Sequence, residues 1–166
     1  MRENIGYIDR VADIDDARVL AAVAKACLAG DLERLPQGLA TVVGERGQTL
    51  SGGQRQRVQL ARAFYRGYRL LVLDDVLSAV DHDTEAKLLA AIQAEIAAKG
   101  TSAILISHRL SALAAADEIV VLEAGKVAER GTHAQLVARA GTYARVWAAQ
   151  SSESADGDQA LAAASA

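Results

Sequence analysis

Leu50-Ser51-Gly52-Gly53-Gln54, followed at once by Arg55-Gln56-Arg57, decides how the rest of this chain is read. Two adjacent glycines seldom open a helix unless something requires the backbone to come close. The residues behind them nevertheless keep a helical period: Val58, Ala61 and Tyr65 line one face, with Leu60 and Phe64 beside it. Ser51 stands where an N-cap belongs, before a first turn without bulky side chains. Such a helix start offers bare N–H groups, the positive end of the helix dipole and a hydroxyl. Together these suit an anion, phosphate above all. Taken alone, the glycines also fit a plain turn ahead of a surface helix. What lies downstream decides between the two.

At Leu70-Leu71-Val72-Leu73-Asp74-Asp75 a short apolar run ends in two carboxylates. A run of this kind predicts a strand buried on both faces of a parallel sheet. Acidic residues at its C-terminal end lie where open α/β sheets place their ligands. Ser78-Ala79-Val80-Asp81 follows closely, and Ile104-Leu105-Ile106-Ser107-His108 repeats the design of an apolar strand ending in polar residues. In this order and spacing the chain resembles the ATP-binding-cassette (ABC) ATPase family. Residues 50–54 match its signature, 70–74 its Walker B strand, 78–81 its D-loop and His108 its switch histidine.

The resemblance implies an α/β fold: a partial P-loop NTPase (RecA-like) core with parallel strands, plus the helical subdomain of the family. Residues 1–67 would be the rest of that subdomain, 68–150 the later half of the ATPase core, and 151–166 a disordered tail rich in Ser, Ala, Asp and Gly. Met1-Arg2-Glu3-Asn4-Ile5 resembles the interior of an exporter domain just after its glutamine-containing loop, so the chain reads as a C-terminal fragment. No G-x-x-x-x-G-K-[ST] phosphate loop occurs in it; Gly125-Lys126 lacks the upstream glycine.

The implied cofactors are ATP and Mg²⁺. Asp74 would hold the magnesium, a cation that keeps several waters and takes one or two carboxylates, although a carboxylate there also suits a helix cap. Asp75 falls where the family usually has a catalytic glutamate. It is one methylene shorter, a departure that resembles the degenerate site of some exporters. His108 would contact the γ-phosphate; a histidine ending a strand is otherwise an ordinary core or cap residue. Ser51, Gly52, Gly53 and Gln54, with Ser78 and Asp81, would face nucleotide held by a second nucleotide-binding domain, because the family dimerises head to tail.

Composition narrows the partners. The chain has 166 residues, a formal net charge of -3 and 51% hydrophobic residues, with only 4% aromatic. That length supports one domain with a real core, and no basic excess argues for nucleic acid. The single cysteine, Cys27, excludes an internal disulfide and a multi-thiolate metal site, and reads as core beside Val19, Leu20 and Val23. No apolar run reaches the roughly 20 residues of a membrane span. The expected location is therefore cytoplasmic, and the resemblance implies a transmembrane partner that holds it at the inner face of the membrane. Glu45 and Arg46, in the glycine-punctuated loop 41–47, resemble the segment that meets the coupling helices of an exporter's transmembrane domain.

Local signals predict the remaining elements. Asp15 or Asp16 caps a helix ended by Gly30, Asp31 opens a short one before Pro36, and Asp83 or Thr84 caps a helix closed by Gly100. Residues 119–122 and 126–129 form a hairpin around Ala124-Gly125, and Thr132 caps a last helical pair. His82 and His133 match no motif and read as surface residues. Arg55, Arg62 and Arg66 share a helix face, expected to be solvated or interdomain. Two other functions fit the same motifs: a non-catalytic partner that lends its signature to another subunit, and a non-transport ABC ATPase. The second would call for coiled-coil heptads or basic linkers, which the sequence lacks.

Overall fold

The computed structural model describes residues 1–7, 9–44 and 47–152. The expected roles of Glu45 and Arg46, and of the tail from residue 153, lie outside the described residues. The chain divides into two compact units, Met1–Ser107 and His108–Ala166.

The first unit is built around one amphipathic helix. α1 (Arg2–Ile5), α2 (Asp16–Lys25) and α3 (Ala29–Arg34) precede α4 (Gly52–Arg66). Val58, Leu60, Ala61, Phe64 and Tyr65 of α4 are buried, as the period required, and α1 and α2 pack on this helix. Ile5, Val19, Ala22 and Val23 are their buried residues. Each of the larger side chains contributes roughly 2 kcal/mol of transfer free energy. Asp15, not Asp16, caps α2, accepting from the backbone N–H groups of Ala17 and Arg18. The helix also stops earlier than Gly30. It turns at Cys27, whose φ is 53°, with the Leu28 N–H reaching back to the Val23 carbonyl at 3.0 Å. Cys27 therefore sits just past the helix, half-buried, rather than in its core face. α4 ends as expected on a glycine, Gly67, in the left-handed region at φ 70°.

The arginines of α4 are not a free face. Arg62 donates to the carbonyl and side chain of Asn4, Arg66 lies 3.9 Å from Asp9, and Arg55 donates to the Leu50 carbonyl. They tie the helix to the chain around it, because a guanidinium on a 15-residue helix is long enough to reach a neighbouring loop.

β1 (Leu70–Asp74) and β2 (Ser102–Ile106) pair in parallel, Val72 opposite Ile104 and Asp74 opposite Ile106, with α5 (His82–Lys99) as the crossover. The expectation of burial on both faces is corrected. Leu71 and Leu73 are buried, whereas Leu70, Val72, Ile104 and Ile106 are 50–61% exposed, so this two-stranded sheet is covered on one side. Asp81 rather than Asp83 or Thr84 caps α5, accepting from both the N–H and the hydroxyl of Thr84. Its side chain lies three residues before Thr84, the spacing at which a cap carboxylate reaches an orphan N–H. Gly100 closes α5 at φ 61°, as expected.

Glu95 of α5 is buried and receives hydrogen bonds from Lys25 of α2 and Lys99. Burial alone would raise its pKa, but the two ammonium groups overcome that and hold it below the ordinary glutamate value. A depressed folded pKa means that the contribution is present above the unfolded value, about 4.3, and is lost as pH falls through the folded one. Urea midpoints of the wild type should therefore fall on acidification below that range more steeply than those of Glu95→Gln. Parallel pH profiles would show that the Lys25–Glu95–Lys99 bridge contributes nothing.

In the second unit, α6 (Leu110–Leu113) leads to β3 (Ile119–Glu123) and β4 (Lys126–Gly131), an antiparallel hairpin with a bulge at Val121/Leu122. Ala124 and Gly125, at φ 48° and 75°, make the turn, both left-handed as a two-residue hairpin loop demands. α7 (His133–Ala138) starts with a capping box of Thr132 and Gln135, and α8 spans 142–152. Ile119, Leu136 and Tyr143 form the core, with Leu110, Leu113, Val121 and Trp147 against it. His133 is not a plain surface residue: its Nδ1 lies 2.9 Å from the Tyr143 hydroxyl, and its ring meets Trp147 edge to face at 4.5 Å. No helix among the described residues is long and apolar enough to cross a membrane.

Candidate functional site

Ser51 caps α4 as its position suggested. Its Oγ accepts from the Gln54 N–H at 3.2 Å, while its own N–H donates to Gln54 Oε1 at 2.8 Å, closing a reciprocal capping box. The other end of the Gln54 carboxamide donates to Asp31 Oδ1 at 2.9 Å, and the second oxygen of Asp31 pairs with Arg57. Both ends of Gln54 are thus engaged inside the chain, where they shape the turn rather than face outward. The sequence reading gave Asp31 only as the start of a short helix, which in fact begins at Ala29, and gave Arg57 no role. The available signal was the three-residue spacing of Gln54 and Arg57, which puts both on one side of the helix.

The helix start carries no acidic side chain of its own in its first turn; the nearby Asp31 carboxylate is paired with Arg57. The glycines differ in what surrounds them. A Cβ on Gly52 would meet only the Arg55 guanidinium, at 3.9 Å, whereas a Cβ on Gly53 would lie 2.6 Å from the backbone carbonyl oxygen of Ala79. Gly53 is therefore required by close backbone approach, and the segment it touches is 78–81. The helix start and this segment lie side by side.

Gln56, one turn into α4, strengthens the junction: its Nε2 is 3.3 Å from both the Asp75 carbonyl and Ser78 Oγ. Ser78 closes a turn on the same carbonyl, by its N–H at 3.2 Å and its hydroxyl at 2.8 Å. Asp75 itself donates its N–H to the Ile106 carbonyl at 2.9 Å and sits at φ 50°. Its backbone is thus pinned in a left-handed conformation that asparagine and aspartate adopt more readily than longer side chains. Asp81, fully exposed, has its pKa lowered by the Thr84 N–H first and the Thr84 hydroxyl second, so it stays anionic.

Asp74 ends β1 with an exposed carboxylate next to Asp75. Among the described residues no cluster of three or more His, Cys, Asp or Glu stands ready to enclose a metal. The exposed Asp74 carboxylate, with the half-buried Asp75 beside it, nevertheless fits a cation that retains most of its waters and takes its other ligands from a phosphate substrate. They would not make a closed zinc or calcium cage.

His108 belongs to the second unit and precedes α6, with its carbonyl accepting from Gln150 Nε2 at 2.8 Å. His82 is exposed in the first turn of α5.

A family profile described as ABC transporter matches residues 1–78. The chain is 46% identical over 143 residues to the probable multidrug resistance ABC transporter ATP-binding/permease protein YheI of Bacillus subtilis (strain 168), covering 86% of this chain and 24% of that protein. It is 48% identical over 139 residues to the ATP-dependent lipid A-core flippase of Haemophilus ducreyi, covering 82% and 23%. A solved bacterial Atm1-family ABC exporter with ATP bound superposes with a TM-score of 0.80 at 44% identity, over 89% of this chain and 25% of that one.

The signature turn, the parallel strands and these relatives agree: the chain belongs to the ABC transporter family. Within that family it is homologous to the ATP-binding region of exporters, and its α/β fold matches that of an exporter nucleotide-binding domain. The chain spans about a quarter of the length of the relatives it matches.

Proposed function

We propose that this chain works as part of the ATP-binding and ATP-hydrolysing domain of an exporter, and that it lends one face to a nucleotide held by a second such domain. The observation that carries this reading is the close packing of Gly53 on Ala79, where an added Cβ would lie 2.6 Å from the Ala79 carbonyl oxygen; it sets the helix start and the 78–81 segment on a common surface. On that surface the N–H groups of Gly52 and Gly53 and the Ser51 hydroxyl would meet the γ-phosphate. Ser78 would meet it from beside the helix, while Asp81, an anion engaged in capping α5, would hold that segment in shape. Gln54 would act by holding the turn, through Ser51 and Asp31.

Asp74, Asp75 and His108 would serve the nucleotide held by this chain's own domain. Asp74 would hold Mg²⁺ through water, and that ion, when bound, neutralises charge building on the phosphates. Asp75 would orient the attacking water, and His108 would hold a γ-phosphate oxygen. Residues 1–67 would then be the helical subdomain and 68–150 the ATPase core. The open sheet face of Leu70, Val72, Ile104 and Ile106 supports a core that extends beyond these two strands. A transmembrane partner would take up the motion at the 41–47 loop. The site would operate at the cytoplasmic face of the membrane.

One observation favours a second reading, in which this site donates its signature but hydrolyses little. Asp75 is shorter than the usual glutamate, and its left-handed backbone is less hospitable to the longer residue.

Because no phosphate loop occurs in the sequence, the β- and γ-phosphates have neither their backbone cradle nor its lysine. Calorimetric titration of the 166-residue chain with Mg-ATP should accordingly give no saturable heat in the micromolar range. Micromolar affinity would overturn the shared-site reading, since the chain would then hold nucleotide by itself.

A further inference from the structure

Gln150 lies 42 residues beyond His108, yet its side chain brackets the histidine's own stretch of backbone. Nε2 donates to the His108 carbonyl at 2.8 Å, and Oε1 accepts from the Leu110 N–H at 2.9 Å. Leu110 is the first residue of α6, where helix N–H groups have no partner within the helix, and Arg109 at the cap position makes no side-chain cap. One carboxamide thus satisfies an orphan donor and an adjacent carbonyl at once. It holds the two peptide groups on either side of Arg109 in fixed relation.

The helix that presents Gln150 is itself anchored. Glu129 of β4 accepts from the Thr142 and Tyr143 N–H groups at its start. Gly141 leaves room for that carboxylate, since a Cβ there would come within 2.5 Å of Glu129 Oε1. Tyr143 is buried in the core of the unit, and Trp147 packs on His133 one turn before Gln150. A side chain at the end of a helix pinned in this way has little freedom to wander.

We propose that Gln150 is a positioning residue for His108, its carboxamide fixing the backbone that aims the histidine ring. The inference rests on the reading of His108 as a γ-phosphate contact, and it adds a residue that the motif pattern gives no reason to choose. It also makes the end of α8 a lever on that histidine.

Amide hydrogen exchange on the full 166-residue chain separates the two bonds. Gln150→Leu removes both. Gln150→Glu keeps an acceptor for the Leu110 N–H and loses the donor to the His108 carbonyl. Leu110 should exchange about tenfold faster in the leucine variant, the loss of one hydrogen bond of typical net strength, and near the wild-type rate in the glutamate variant. Val121 and Leu136, in the core of the same unit, should keep their rates in both. Unchanged Leu110 exchange in Gln150→Leu overturns the proposal, and so does equal acceleration in the two variants. Should Gln150→Leu loosen Val121 and Leu136 as well, the glutamate variant decides: a protected Leu110 supports the bracket and an unprotected one removes it. Exchange needs no nucleotide, so this result is independent of His108's role. Unchanged turnover in His108→Ala of the intact transporter would sink the reading of the histidine while leaving the bracket standing.

Discussion

Gly53→Asp, placed in an intact transporter carrying this chain, is expected to lower ATP turnover by on the order of 10²-fold, the scale seen when a preorganised donor to a developing anion is lost. Two effects add at this position. The new Cβ would lie 2.6 Å from the Ala79 carbonyl oxygen, a distance that forces backbone to move and separates the helix start from the 78–81 segment. The carboxylate would then stand at the mouth of an anion site and repel the phosphate that the N–H groups are set to receive. Gly52→Ala is the control. Its Cβ meets only a flexible guanidinium at 3.9 Å, so turnover should fall severalfold at most. ATPase assays on both variants check the asymmetry; equal losses would mean that the Gly53–Ala79 approach has no functional weight.

The second large effect is expected at the end of β1. Asp74→Asn should also cost on the order of 10²-fold in turnover, because an amide cannot stabilise a divalent cation as a carboxylate does. Asp75→Asn should cost less than about tenfold, because a short carboxylate on a pinned left-handed backbone positions water poorly to begin with. Lengthening the side chain tests the reason: Asp75→Glu should raise turnover if reach is limiting. If Asp75→Asn were the more damaging of the two, this chain would host the productive site and the degenerate reading of Asp75 would fall.

Much of this architecture was legible in the sequence because it is local. The helical period of Val58, Ala61 and Tyr65 named the buried face of α4, and Ser51 its N-cap. The apolar run at 70–73 with its acidic end named a strand. What failed was whatever depends on partners far along the chain. Burial on both faces could not be read from Leu70 and Val72, since exposure is set by which strands are neighbours and not by the residues themselves. The capping roles of Asp81 and Asp83 differ only in where the chain first turns helical, a boundary that tertiary contacts shift by a residue or two. The roles of Asp31, Gln56 and Gln150 were illegible for the same reason. Each acts across 19 to 42 residues of chain, on backbone or side chains that no periodicity marks. Gln54 is the instructive case, with its place in the motif legible and its inward engagement decided by Asp31.

The location of trapped nucleotide tests the shared site most directly. In mixed dimers of the intact transporter, one subunit would carry Gly53→Asp and a size tag, and photoreactive ATP would be trapped with vanadate before the subunits are separated. The shared site predicts that label disappears from the unmodified subunit, whose nucleotide has lost its covering signature, and persists on the subunit that bears the substitution. Label lost from the substituted subunit alone would place the signature over its own nucleotide and contradict the account.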